Sequence, residues 1–319
     1  MSERHGALGH GGAYFAVLPD CEEATAVARH LQTPAARVLS YASGRPWIIG
    51  QWSDDEMMAV EAGNARLAIV GCSVVTADRL AAEVERLHEL AGLDRLAGSL
   101  VGSAHLIAAH HGRLRVQGSV SGLRLVFHTR VGGITVAADR SDVLAALIQA
   151  GVAERQVVAR LLWPVPHPLP STSMWRGVDA VPPGSCLLIS QAGRSRRVSR
   201  WWTPPEPVRP LAEQAPLIAT ALTQVVDART RGGGMVSADL SGGLDSTSIC
   251  FLAARGGAEL VASTWPGRDP ADDDLWHGRA GRPPTFLALN TWHGLRSSPR
   301  WSTRSSWRST MCSMSPLSG

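Results

Sequence analysis

One stretch of this sequence has the residue types and spacing to hold a polyanion: Leu240-Ser241-Gly242-Gly243-Leu244-Asp245-Ser246-Thr247-Ser248. An apolar run over residues 234–240 leads into it, and a helix-forming run over 246–255 follows, so the loop joins a buried strand to a helix start. Backbone amides at such a start, with the positive end of the helix dipole, suit a phosphate. Gly242 and Gly243 carry no Cβ, so the main chain can approach phosphate oxygens closely. Ser241, Ser246 and Thr247 add hydroxyl donors. Asp245 would repel a bare phosphate, so its presence points to a bridging Mg²⁺. The same residues, taken one by one, also fit a glycine-rich turn with a serine cap and no ligand.

A second apolar run, 259–264, follows the helix. Strand, loop, helix and strand make a βαβ unit, the building block of a parallel, doubly wound sheet. Ahead of it, residues 216–229 read as a helix with Pro216 in its first turn. Trp201-Trp202-Thr203-Pro204-Pro205-Glu206-Pro207 reads as an interdomain linker. From residue 13 to about 202 the pattern is one of short strands (13–18, 67–70, 106–109, 113–116, 123–128 and 133–137) and helices at 77–90 and 141–150, the second capped by Ser141-Asp142. Residues 186–190 and 197–201 frame a hairpin whose Arg194, Arg196 and Arg197 read as a solvated turn. The expected class is a two-domain α/β protein.

Composition removes several kinds of chemistry. All 31 basic residues are Arg, and no Lys occurs, which excludes a Walker-type phosphate loop, a pyridoxal Schiff base and any lysine nucleophile. All 27 acidic residues and 25 of the arginines lie within the first 275 positions, a net charge of −2. The overall +4 therefore comes from the last 44 residues and marks no nucleic-acid-binding face. Cys21, Cys72, Cys186, Cys250 and Cys312 are scattered without a C-x-x-C pair, which argues against a disulfide framework or zinc site. No run approaches a membrane span and no signal peptide is evident, so the expected location is the cytoplasm, with no membrane or nucleic-acid partner.

The Ser-Gly-Gly-x-Asp-Ser string resembles the pyrophosphate-binding loop of the PP-loop ATP pyrophosphatases. That resemblance implies ATP and Mg²⁺ as cofactors, cleavage of ATP between its α and β phosphates, and an adenine nucleotide α-hydrolase-like fold. It assigns ATP and pyrophosphate binding to Leu240, Ser241, Gly242, Gly243, Leu244, Asp245 and Ser246, with Asp245 as a metal ligand. Residues 262–265, Thr264 among them, would contact the adenine, and Asp272-Asp273-Asp274 follows where acids sit near the metal in such proteins. Residues 1–205 resemble the Ntn-type, αββα glutaminase-like domain of asparagine synthetases. The resemblance rests on residues 96–104 for a "G-x-F-A" strand, 122–128 for "G-x-x-P-L-Y-Y", and 178–189 with Trp202 for the "P-P-G" segment. The working nucleophile of that domain, a Cys exposed by Met removal, is replaced by Ser2, and Gly118-Ser119 stands where the family has Arg-Asp. Glutamine hydrolysis is therefore expected to be lost.

Without a glutaminase the amine must come from elsewhere, as in β-lactam synthetases and lasso-peptide macrolactam cyclases. Residues 161–170 with Trp175-Arg176-Gly177-Val178, and Ser237-Ala238-Asp239 before the loop, are most similar to the lasso cyclases. The implied partners are a precursor peptide or small carboxylate and a leader peptidase or recognition protein. The expected domains are thus 1–205, glutaminase-like; 206–275, the start of an asparagine-synthetase domain; and 276–319, which holds nine Ser, six Arg, four Trp and no acid. That last segment reads as a disordered or frame-shifted tail. No residue is assigned the bond-making role, which the resemblance places in chain beyond the first βα units, so this chain as it stands is expected not to complete the reaction.

Overall fold

The computed structural model describes residues 13–263 apart from Trp163, Pro166 and Gly242. Ser2, Thr264, Trp265, Asp272-Asp273-Asp274 and the segment 276–319 lie outside the described residues, as does Gly242 of the loop. The chain divides into two compact units that part between Glu206 and Pro207.

The first unit opens with β1 (Tyr14–Val17), α1 (Glu22–Leu31), β2 (Arg37–Ser40), β3 (Pro46–Gln51), β4 (Met57–Ala62) and β5 (Ala65–Ser73). Two helices, α2 (Ala77–Glu85) and α3 (Asp94–Ser99), lead to β6 (Gly102–His110), β7 (Arg113–Gln117), β8 (Val126–Val131) and β9 (Ile134–Ala138). It ends with α4 (Ser141–Ile148), α5 (Glu154–Arg160), β10 (Asp179–Val181), β11 (Ser185–Ile189) and β12 (Arg196–Arg200). The strands form two six-stranded antiparallel sheets, in the orders β10-β8-β9-β1-β3-β2 and β12-β11-β7-β6-β5-β4.

Side-chain alternation sorts the core into three layers. Tyr14 and Ala16 of β1 face α1 and α4, against Val27, Leu31, Val143 and Leu144. Phe15 and Val17 face the other way and meet Val70, Ile107, Val116 and Leu187 of the second sheet. The outer face of that sheet, with Leu67, Ile69 and Leu106, is covered by Leu80 and Val84 of α2 and Leu96 of α3. The unit is thus a helix–sheet–sheet–helix sandwich, and the whole chain is α/β. Because β1 and β9 are buried on both faces, they read as continuous apolar runs, not as alternating ones. On the outer face Arg115 is 1% exposed. It donates to Asp94 Oδ1 at 2.6 Å, Leu90 O at 2.8 Å and Gln117 Oε1 at 2.7 Å, which pins the start of α3 to the sheet.

Several sequence expectations need correction. Ser141-Asp142 does not cap α4: the N-cap is Arg140, with no side-chain cap, and its guanidinium pairs with Asp142 instead. The stretch 96–104 is not one strand, because α3 runs to Ser99 and β6 begins at Gly102. Residues 122–125 form a turn ahead of β8, and the helix expected over 77–90 ends at Glu85. The Arg194, Arg196 and Arg197 segment is exposed as expected, and within it Arg194 and Arg196 pair with Glu23 at 2.9 Å and Asp179 at 3.4 Å.

Three titratable groups give this unit a distinctive acid response. Burial pushes the Asp139 carboxyl up to about 7, although it accepts the Phe15 N–H at 2.8 Å. Burial pushes His105 and His128 down to about 4. Between pH 4 and 6.5 the unfolded chain binds two protons that the native histidines refuse, while the native Asp139 keeps one that the unfolded chain releases. The net difference of one proton makes stability fall by about 1.4 kcal/mol per pH unit on acidification through that window. Asp139→Asn removes the opposing contribution, so the acid slope should nearly double and stability above pH 7 should rise. Urea titrations at pH 5, 6, 7 and 8 check this; parallel wild-type and variant profiles would show that Asp139 ionises normally.

The second unit is described over α6 (Leu211–Thr230), β13 (Met235–Asp239), α7 (Leu244–Ala253) and β14 (Glu259–Ser263). The two strands are parallel and in register from Met235↔Glu259 to Asp239↔Ser263. Val226, Leu240, Cys250, Ala253, Leu260 and Ala262 form the core beneath them. Pro216 lies inside α6 and not in its first turn, because the helix begins five residues earlier, at Leu211. Its surroundings are exposed, and Thr220 Oγ1 donates to the Pro216 carbonyl at 2.8 Å. No described helix is long and apolar enough to cross a membrane.

Candidate phosphate-binding loop

The loop is held at both ends by the parallel strands and the helix between them. Leu240 is fully buried, and its amide donates to Ser263 O at 2.8 Å, continuing the β13–β14 pairing past the last strand residue. Helix α7 starts at Leu244, two residues ahead of the sequence expectation, with Gly243 as its N-cap and no side chain capping it. Cys250 Sγ donates to Asp239 O at 3.5 Å and ties the helix back to the strand end. No sequence signal marks that tie, since the cysteine stands alone.

Within the loop, Ser246 turns back across the gap. Its hydroxyl accepts the Ser241 N–H at 3.2 Å, lies 3.0 Å from Ser241 Oγ and approaches the Gly243 carbonyl at 3.5 Å. Ser241 and Ser246 are half-buried, whereas Gly243, Leu244 and Asp245 are exposed. Leu244, an apolar residue, is 89% exposed at the head of the helix.

Two observations bear on whether these residues fit a phosphate ligand. The Thr247 amide bonds to Gly243 O at 3.1 Å, but its Oγ1 is buried without a partner among the described residues. An orphaned hydroxyl one helical turn from an uncapped N-terminus is what an absent acceptor would leave behind. Gly243 has φ −69°, open to any residue, and a Cβ there would come no closer than 3.6 Å, to Ser241 Oγ. Neither backbone conformation nor protein packing requires glycine at this position. At an N-cap a side chain reaches toward the amides of the helix's first turn.

Asp245 stands in the first turn of α7. No group of three or more His, Cys, Asp or Glu side chains that could hold a metal occurs among the described residues. One exposed carboxylate fits Mg²⁺ in the way that ion is usually held, with phosphate oxygens and water completing the shell.

Comparison with known proteins adds one local match. Residues 217–276 match the asparagine synthase family, a span that begins in α6 and includes the whole loop. No curated protein matches the sequence. Among solved structures, the chain is similar to the glutamine phosphoribosylpyrophosphate amidotransferase from B. subtilis complexed with ADP and GMP. The identity is 12% and the TM-score 0.35, over 78% of this chain and 65% of that one. A second similar structure is titled the allosteric regulatory enzyme of purine biosynthesis, with 11% identity and a TM-score of 0.32, over 88% and 74% of the two chains. The chain thus spans under two thirds of the first of these. Both scores lie below one half, so neither title bears on what this chain binds.

Proposed function

We infer that this chain belongs to the lineage of ATP-dependent ligases that form amide bonds. The observation that carries the reading is the Ser-Gly-Gly-x-Asp-Ser loop, placed between a parallel strand and an uncapped helix inside the segment that matches the asparagine synthase family. ATP would supply an adenylyl group to a carboxylate oxygen, with pyrophosphate leaving, and an amine would then displace AMP. The α7 amides and Thr247 Oγ1 would hold the pyrophosphate portion, where oriented donors in a fixed geometry favour the charge that develops on the leaving group. Asp245 would carry the Mg²⁺ that neutralises the same charge, and Leu240 would fix the loop's origin through its bond to Ser263.

The finer proposal is a lasso-peptide macrolactam cyclase, in which an Asp or Glu side chain of a precursor peptide is activated and its own N-terminal amine attacks. The family description of the matched segment favours asparagine formation as the second reading. A peptide- or partner-binding role without catalysis is the third. Incubation of a version whose reading frame is intact beyond residue 275 with ATP, Mg²⁺ and a precursor peptide should yield AMP, pyrophosphate and a peptide lighter by one water. Ammonia-dependent asparagine formation would replace the first reading by the second. Peptide binding with no AMP would replace it by the third.

Gly243→Ala separates the ligand reading from the turn-only one. The added methyl meets only an ordinary contact, so thermal stability should fall only by about 0.5–1 kcal/mol, because alanine is a poorer N-cap than glycine. Affinity for Mg²⁺–pyrophosphate, measured by calorimetry, should fall about tenfold or more, about 1.4 kcal/mol, because the methyl stands where an oxygen must approach the amides. Unchanged affinity would sink the placement of the phosphate over Gly243.

A further inference from the structure

Strand β12 carries features that the loop chemistry does not use. It is an edge of the second sheet, and among the described residues it pairs only with β11, which leaves one side of its backbone open. Four of its five residues are exposed. With the turn before it, the strand places Arg194, Arg196, Arg197 and Arg200 within seven residues and contains no acid. Arg194 and Arg196 have carboxylate partners, Glu23 and Asp179. Arg197 and Arg200 have no ion pair among the described residues.

Register sorts these side chains by face. Arg196, Val198 and Arg200 lie opposite Ile189, Leu187 and Ser185 of β11, and Leu187 and Ile189 belong to the core between the sheets. Arg197 lies opposite Leu188, which packs on the outer layer. The face that opens between the sheets at this margin therefore reads cation, exposed valine, cation, with Val198 at 42% exposure. Arginine on an edge strand guards against pairing with a like strand. A second copy of β12 would bring arginines opposite arginines in either direction. The same charges favour a strand of opposite sign, because oppositely charged cross-strand pairs stabilise a sheet and like pairs destabilise it.

We propose that β12 is a docking edge for an extended acidic peptide, one that adds a strand to the second sheet. The matching pattern is acid–x–β-branched–x–acid: the carboxylates lie opposite Arg196 and Arg200, and the central residue lies opposite Val198. The pattern is symmetric, so it fits a parallel or an antiparallel strand. Main-chain bonds supply affinity and the alternate side chains supply selection, the usual division in strand addition. Three arginines on a five-residue ladder are too few to track a nucleic-acid backbone, whereas they match the length of one short strand. This proposal stands on the first unit alone and does not depend on the reading of the phosphate loop.

The probe is the labelled peptide Thr-Glu-Thr-Val-Thr-Glu-Thr, titrated with the full chain at low salt and followed by fluorescence anisotropy. A dissociation constant on the order of 100 µM is expected. Blocking alternate peptide amides by N-methylation should weaken binding at least tenfold, and so should Arg196→Glu with Arg200→Glu. Both substitutions are at exposed positions, and circular dichroism will confirm that the double variant remains folded. Arg113→Glu with Arg130→Glu, at exposed positions on β7 and β8 away from the edge, supplies a charge-matched control that should bind as the wild type does. Absent binding, binding indifferent to N-methylation, or equal losses in the control would each overturn the proposal. Equal or tighter binding of a single-stranded oligonucleotide that competes with the peptide would overturn it as well.

Discussion

Asp245→Asn should lower the affinity of the loop for Mg²⁺–pyrophosphate by about tenfold to a hundredfold, the loss of one charged ligand, and raise its affinity for metal-free pyrophosphate. The two signs follow from one geometry. Asp245 sits in the first turn of α7, where any polyphosphate reaching the uncapped amides must pass it. With Mg²⁺ between them the carboxylate attracts the phosphate through the ion; without the metal it repels it. The substitution also removes a favourable charge from the helix N-terminus, worth about 0.3–1 kcal/mol, so the fold should remain intact. Calorimetric titrations with and without Mg²⁺ check both signs. Equal loss in the two conditions would mean that Asp245 holds the loop's shape and not a metal. Any ATP–pyrophosphate exchange by the protein should fall with the Mg²⁺-dependent affinity.

Gly50→Ala should have the largest effect on folding. Gly50 lies opposite Phe15 where β3 pairs with β1, near the middle of the first sheet. A Cβ at this position would overlap the Tyr14 carbonyl and the Phe15 Cα. Those are backbone atoms, so no rotamer change relieves the overlap, and the strands must separate. With Phe15 and Val17 serving the core between the sheets and Tyr14 and Ala16 the core beneath the helices, separation loosens two layers at once. Overpacking of side chains costs about 1–3 kcal/mol; a main-chain collision here should exceed that. A drop of 10 °C or more in melting temperature is expected for a unit of this size, at about 2–4 °C per kcal/mol. Gly98→Ala is the control. That glycine is in α3 with nothing within 4 Å of its would-be Cβ, so alanine should leave stability unchanged or raise it by up to about 1 kcal/mol. A small, equal effect of both substitutions would show that the β1–β3 pair can flex apart.

The second unit was the more legible from sequence because its signals are local. Strand β13, the glycine pair, α7 and β14 follow one another within 29 residues, and each owes its form to its own composition. The helix start was misplaced by two residues because Ser246 looks like a cap. The structure instead uses Gly243 as N-cap and spends the serine hydroxyl on Ser241. The orphaned Thr247 hydroxyl and the Cys250–Asp239 bond could not be read at all, since both depend on where the helix lies against the strand. In the first unit β4 went unnoticed: Met57–Ala62 is composed of residues that favour helices, and its pairing with β5 overrides that preference. The exposed edge strand β2 and helix α1 carry weak signals too, one for lack of an apolar face and the other because half of its buried stripe is alanine. The resemblance around 96–104 predicts a single strand, whereas its first four residues belong to α3 and only its last three to β6.

The pairing of β1 with β9 has a consequence for the newly made chain. Ala16 lies opposite Ala138, so β1 leaves the ribosome more than a hundred residues ahead of this partner. At about 5–20 residues per second that delay is on the order of ten seconds. During it Tyr14, Phe15 and Val17 have only β3 beside them, and an apolar two-sided strand is open to other chains. Once released, closure of so long a loop makes the sandwich a slow folder, in the range of milliseconds to seconds for sheet-dominated topologies. Yield in the cell should therefore depend on early protection of this segment by chaperones, more than on the final stability of the folded sandwich.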